Sequence, residues 1–294
     1  MKQRTTKQYV SQIVAAALEE DIGTGDVTSS IFENDRQRRT ARIIAKQDGV
    51  MSGGEVVCEV FRQLDKKSHV QQLVDDGAPF KAGDTLFEIK GRLAPLLSGE
   101  RTALNFLQRL CGIATLTSQY VSALGRYREK IGIYDTRKTT PLLRMLEKKA
   151  VRDGGGRNHR FGLYDMVMLK NNHIDAAGGI SQAMTALIKQ KDFLKRRLPI
   201  CIEARTVAEA QEALVVGADI IMLDNMSASE VRRCVRELQK RAEELSLKLP
   251  DIEISGGISI DDVRRLRTLP IQRISVGRLT HSAPAIDISM RIEL

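Results

Sequence analysis

Between Arg137 and Lys170 the chain carries nine lysines and arginines against three acidic residues, Glu147, Asp153 and Asp165. Arginine grips carboxylates and phosphates through a planar two-pronged fork, and lysine supplies a compact point charge. A concentration of this kind suits nucleic acid, an anionic surface or a small polyanionic substrate. Arg137 and Lys138 follow the short apolar run IGIY after two intervening residues and Lys170 directly follows MVML, which places them at strand ends. Lys148 and Lys149 sit in a helical pattern, PLLRMLEKKAV, and read as a solvated face. His159 and Arg160 lie in a glycine-rich loop, GGGRNHRFG, where function gathers. For His159 a structural place in the fold and a place in a site both remain open.

Two carboxylates, Glu203 and Asp224, end the runs PICIEA and ADIIML. They could be ion-pair partners of the basic groups. They could equally hold a hard cation such as magnesium, which prefers oxygen ligands and bridges phosphates. Ser255-Gly256-Gly257 and Ser275-Val276-Gly277 follow two later runs, DIEIS and IQRISV. Glycines let a backbone approach an anion, so these loops suit a phosphate cradle, with Ser259 and Asp262 capping the next helix.

The elements that must position these groups alternate. From about residue 131, six short apolar runs are separated by helical stretches, including VAEAQEALVV, SASEVRRCVRELQKRAEEL and SQAMTALIKQKDFLKR. Such alternation implies parallel strands with right-handed crossovers. Polar groups at the carboxyl ends of many strands favour an incomplete β/α barrel of TIM type over an open sheet, whose site gathers at one switch point. Before this, up to about residue 110, short alternating runs punctuated by Asp-Gly and Gly-Gly read as an antiparallel sheet with helices at its ends, the latter starting near Ser98. The expected division is an α/β sandwich over 1–112, joined by a strand-like run in 278–294, and a barrel over 113–277.

Composition narrows the class. With 294 residues, 42% of them apolar, the chain can bury a sizeable core. Its net charge is +9, but it has no Trp and few other aromatics for stacking bases, which argues against nucleic acid. No run approaches a membrane span, and the basic N-terminus lacks the features of a secretory signal. Cys58, Cys111, Cys201 and Cys234 are scattered, which suits reduced thiols in the cytoplasm and no zinc site.

The ordered motifs DTRKTTP, GGGRNHRFGLYD, LKNNHI, IEAR, IMLDN, ISGGI and SVGRLTHSAPAIDISM closely resemble the quinolinate phosphoribosyltransferase family. So do EEDIGTGDVTS and SGERTALNFLQRLCGIAT, and the likeness runs from about residue 10 to the end. The resemblance implies a decarboxylating phosphoribosyltransferase of NAD biosynthesis. It implies a homodimer, sometimes a hexamer, with shared active sites. Arg101 matches an arginine that reaches the neighbouring subunit's quinolinate. Arg137, His159, Arg160 and Lys170 match the pocket for quinolinate's carboxylates. Lys138, Thr139, Glu203 and Asp224 match groups serving phosphoribosyl pyrophosphate and its magnesium, with Lys138, Lys170, Glu203 and Asp224 carrying the chemistry. Ser255, Gly256, Gly257 and Gly277 match a 5′-phosphate cradle. Asn171 departs from the family's aspartate. Alternatives are a related protein with another substrate, such as a molybdenum-associated homologue or a nicotinate enzyme, and a non-enzymatic polyanion binder.

Overall fold

A computed structural model describes residues 6–190 and 197–293. The last residues of the helix expected over 181–196 lie outside the described residues. The chain forms two compact units, one of residues 1–118, 140–155 and 282–294, the other of 119–139 and 156–281.

The first unit is an antiparallel sheet with helices. Its strands are β1 (Arg38–Ala45), β3 (His69–Gln72), β5 (Thr85–Arg92) and β12 (Ile288–Glu293), in the order β12-β1-β5-β3; a short pair, β2 (Gly49–Val50) with β4 (Pro79–Phe80), stands apart. Along β1 the side chains of Ala41, Ile43 and Ala45 are buried in alternation, as a sheet with one covered face requires. The C-terminal run returns to pair with β1, Ile43 opposite Met290. The helices are α1 (Thr6–Ile22), α2 (Gly54–Leu64), most of α3 (Leu93–Leu124) and α4 (Arg144–Asp153).

The boundaries differ from the sequence expectation in three places, the last being residues 278–281, expected in the first domain, which fall in the second unit. The division falls inside α3 after Ser118, and residues 140–155, expected in the barrel, pack in the first unit. The reason is electrostatic as much as apolar. Lys149 Nζ bonds both Asp76 and Asp153, Asp153 accepts from Ser52, and Glu147 accepts from Arg109. Lys148 is only 1% exposed, so it is not the solvated group expected, and Lys149 is a bound ion-pair partner. Arg101 also differs: α3 begins at Leu93, five residues before the expected start, which puts Arg101 in its third turn.

The second unit holds six parallel strands in the order β6-β11-β10-β9-β8-β7. They are β6 (Gly132–Tyr134), β7 (Val167–Leu169), β8 (Ile200–Ala204), β9 (Ile220–Asp224), β10 (Asp251–Ser255) and β11 (Arg273–Ser275). Between them run α5 (Asn171–Ala177), α6 (Ile180–Ile188), α7 (Val207–Val215), α8 (Ala228–Glu244) and α9 (Ile260–Leu266), with α10 (Arg278–His281) after β11. The first strand pairs with the last, Gly132 opposite Arg273, which is the closure of a barrel and not the interior switch of a doubly wound sheet. The ring stays open between β6 and β7. At that free edge Arg157 forms a single parallel bridge to Tyr134, so the glycine-rich loop lies along the opening.

Strand alternation then separates two faces. Ile202, Ile221, Leu223, Ile252 and Ile254 are buried on the face that carries the helices. The facing helices are amphipathic: α8 buries Val231, Cys234, Val235 and Leu238 at helical spacing. Met166, Met168, Cys201, Ile220 and Met222 cluster on the inner face.

Candidate functional site

The carboxyl ends of the six strands surround a cavity of about 430 Å³, the size of a small-molecule site. It is lined by Arg137 and Lys138 after β6, His159 and Arg160 from the loop at the opening, and Lys170 after β7. Glu203 ends β8, Asp224 ends β9, Ser255-Gly256-Gly257 follow from β10, and Gly277 follows β11. Thr139 does not line it, and Arg101 is exposed on α3 in the first unit.

Each wall has a local cause. Buried Asp135 accepts the His159 backbone N–H at 2.8 Å and pins the loop to β6. Arg160 is 9% exposed, and its Nη1 donates to the Met166 carbonyl at 3.3 Å. Burial, and then the nearby Arg137 guanidinium, both push the Arg160 pKa below its ordinary value. A cation burdened in this way gains from a bound anion. The Lys138 carbonyl accepts from Thr280 Oγ1 at 2.7 Å, and a side chain on Gly277 would crowd the Lys138 stem at 3.1 Å. Gly256 has φ +110°, and a Cβ there would collide with the Asn225 amide, so the loop requires glycine.

The two carboxylates end adjacent strands. Glu203 Oε2 accepts the Asn171 backbone N–H at 3.0 Å, and Asp224 Oδ2 accepts from Asn225 Nδ2 at 2.9 Å. Neither is ion-paired within the described residues, so the reading of them as salt-bridge partners of the basic groups finds no geometry here. They are hard oxygen donors, and among the described residues no third metal-ligating side chain joins them. That set fits magnesium, which keeps water and phosphate oxygens as its remaining ligands.

The strand order divides the mouth. Around the ring, cations from β6, the opening loop and β7 form one arc. The carboxylates of β8 and β9 form the next, and the glycine loops of β10 and β11 the third. Sequence reasoning missed Met168 and Met222, which also line the cavity. Thr136 and Asn225 line it from strand ends without an assigned role, and Ser275 lines it in the loop expected to cradle phosphate. The period-two alternation of the inner face was the available signal for Met168 and Met222.

The fold and mouth define an open α/β barrel built to bind a multiply charged anion. Residues 26–111 and 113–291 match the N-terminal and C-terminal domain models of quinolinate phosphoribosyl transferase. The chain is 43% identical to the probable nicotinate-nucleotide pyrophosphorylase (carboxylating) of Bacillus subtilis (strain 168), over 94% of this chain and 90% of that protein. It is 36% identical to the mitochondrial quinolinate phosphoribosyltransferase (decarboxylating) 2a of Nicotiana tabacum, over 96% and 81%. The crystal structure of NadC from Streptococcus pyogenes superposes with TM-score 0.89 at 38% identity, covering 99% of both chains. The chain belongs to the quinolinate phosphoribosyltransferase family.

Proposed function

We propose that the chain converts quinolinate and phosphoribosyl pyrophosphate to nicotinate mononucleotide, pyrophosphate and carbon dioxide, a step of NAD biosynthesis. The observation that carries this is the partition of one mouth into three arcs, because the reaction presents three charged parts. Arg137, Arg160 and Lys170 suit the two carboxylates of quinolinate, with His159 beside them. Glu203 and Asp224, with Lys138, suit the pyrophosphate end. The amides of Ser255-Gly256-Gly257 and Gly277 suit the 5′-phosphate.

In this reading the cation arc orients the pyridine ring with its nitrogen toward C1′ of the ribose. The nitrogen lone pair forms the new bond as the C1′–O bond to pyrophosphate breaks and its electrons leave with oxygen. The ring nitrogen is then quaternary and accepts the electrons released when the adjacent carboxylate departs as carbon dioxide. A proton replaces it. Positioning and electrostatics supply the acceleration. Glu203 and Asp224 would hold magnesium, which would neutralise charge on the departing pyrophosphate. The four free cysteines suit a reducing compartment, the cytoplasm.

Incubation with both substrates and magnesium tests the reading, with nicotinate replacing quinolinate in a parallel reaction. Nicotinate mononucleotide should form from quinolinate and stop in excess chelator. Product from nicotinate alone would assign the chain to a different substrate, and full turnover in chelator would remove the metal.

We also propose a homodimer, able to assemble further into a hexamer, in which Arg101 serves the neighbouring subunit's cavity. Its support is an exposed arginine on a unit that does not line the cavity. Inactive Arg101→Ala and Lys170→Ala variants should regain about half a dimer's activity when subunits exchange, because one mixed site is then intact. No recovery after proven exchange would assign Arg101 elsewhere.

A further inference from the structure

The inner face of the barrel holds a charged group that the reaction scheme does not use. Glu253 on β10 is fully buried, and beside it Arg273 is 8% exposed and Ser275 4% exposed. Register brings them together: Glu253 pairs with Arg273 across β10 and β11, and Ser275 follows two residues later on the same face. Arg273 Nε donates to Glu253 Oε2 at 2.7 Å, and the Ser275 hydroxyl donates to Oε1. His159 Nε2 stands 3.3 Å from that same Oε1. The Arg273 guanidinium also lies over the Tyr134 ring, 3.7 Å from its centroid, and Tyr134 meets His159 edge-on.

Burial pushes the Glu253 carboxyl up, but the contacts from His159, Arg273 and Ser275 outweigh it and hold the group below the usual carboxylate range. A structural ion pair needs only Arg273. The other two partners, His159 and Ser275, both line the cavity. His159 Nδ1 accepts the Arg160 backbone N–H at 2.7 Å, so the proton of a neutral ring sits on Nε2, the nitrogen that faces Glu253. The carboxylate thereby selects the tautomer that can hold the Arg160 amide.

We propose that Glu253 is a positioning residue for this reaction: one buried carboxylate fixes His159 and Ser275 in the cavity wall and, through the His159 ring, holds Arg160 in place. This rests on the reading of the cavity as the quinolinate site. Besides Glu253, the groups that face or neighbour His159 are Asp135 and Tyr134 of the β6 end, Arg160 of its own loop and Arg273 of β11. Cys201 of β8 faces Glu253.

The test compares wild type with Glu253→Gln, which keeps the shape and removes the charge. The variant should fold, and kcat/KM for quinolinate should fall by up to about a hundredfold through misplacement of the wall. The Nε2–H proton resonance of His159, one of four histidines and readable by NMR, should move upfield because the anion that faces it is gone. A folded variant with wild-type kcat/KM, or with an unmoved His159 Nε2–H resonance, overturns the proposal. Should Glu253→Gln not fold, Glu253→Asp keeps the negative charge and draws the carboxylate back by one methylene from His159, Ser275 and Arg273 alike. It should lose activity, and wild-type kcat/KM in that variant overturns the proposal equally. The resonance needs no substrate, so a wild type inactive on quinolinate counts against the reaction and leaves this role to be judged by the resonance.

Discussion

The basic segment from Arg137 to Lys170 is continuous in sequence, yet its two parts treat charge in opposite ways. In α4, within the first unit, Glu147 is fully buried and accepts from Arg109, while Lys149 is bonded to Asp76 and Asp153. At the barrel mouth, Lys138, Arg160 and Lys170 have no ion-pair partner among the described residues, and Arg160 is further burdened by Arg137. Charge that serves the fold is neutralised where it stands. Charge that serves a ligand is left uncompensated, at some cost to the fold, until the ligand arrives. The loop from residue 156 returns the chain from one regime to the other.

The largest effect on stability should come from the neutralised part. Glu147→Ala takes the buried carboxylate from Arg109 and removes the acceptor of the Thr140 amide. Breaking a buried pair from one side costs about 3–5 kcal/mol, and Arg109 is partly exposed, so the loss should fall near about 3 kcal/mol. Urea denaturation measures it. A variant as stable as wild type would show that this pair is incidental to the fold.

At the mouth the signs should reverse. Arg137→Ala, Arg160→Ala or Lys170→Ala should weaken quinolinate binding by about 2–5 kcal/mol, as loss of a partner from a buried charge pair does. Arg160→Ala should leave stability unchanged or raise it, since it removes both a desolvation cost and a repulsion. Arg137→Lys should not restore affinity fully, because a point charge cannot replace the planar fork. Calorimetric titration with quinolinate beside a denaturation curve separates the two effects. A mouth variant that loses stability and keeps affinity would break the comparison.

How far this was legible in the sequence follows the same line. The six barrel strands were readable because each is a short apolar run closed by polar residues, and the strand-end residues fell around one cavity because the fold puts strand ends there. The order of the arcs was not readable. It depends on β6 pairing with β11, a nonlocal choice that no local pattern encodes. Lys148 and Lys149 were misjudged because helical spacing shows that a face exists and not what covers it. Glu253 was hidden for a related reason. In DIEIS it reads as the polar position of an alternating strand, and only barrel closure turns that face inward.

The smallest effect tests where fold and ligand meet at the third arc. Ser259 caps α9 through a reciprocal pair with Asp262: each backbone N–H donates to the other's side chain, at 2.9 Å and 3.1 Å. Those groups are spoken for within the fold, which leaves the preceding glycine amides for the phosphate of the proposed reaction. Ser259→Ala should cost about 1 kcal/mol and leave the KM for phosphoribosyl pyrophosphate unchanged. The pH dependence gives the sign. The Ser259 hydrogen bonds, and to a lesser degree Arg265, bring Asp262 down to about 2. Its folded pKa thus lies below the unfolded value of about 3.9, so its contribution is full above that value and is lost as the pH falls toward about 2. Removing the hydroxyl removes the largest cause, so the stability gap between wild type and variant should narrow through that window on acidification. A gap that stays constant with pH would locate the cost in helix propensity alone, and a raised KM would move Ser259 from the fold to the ligand.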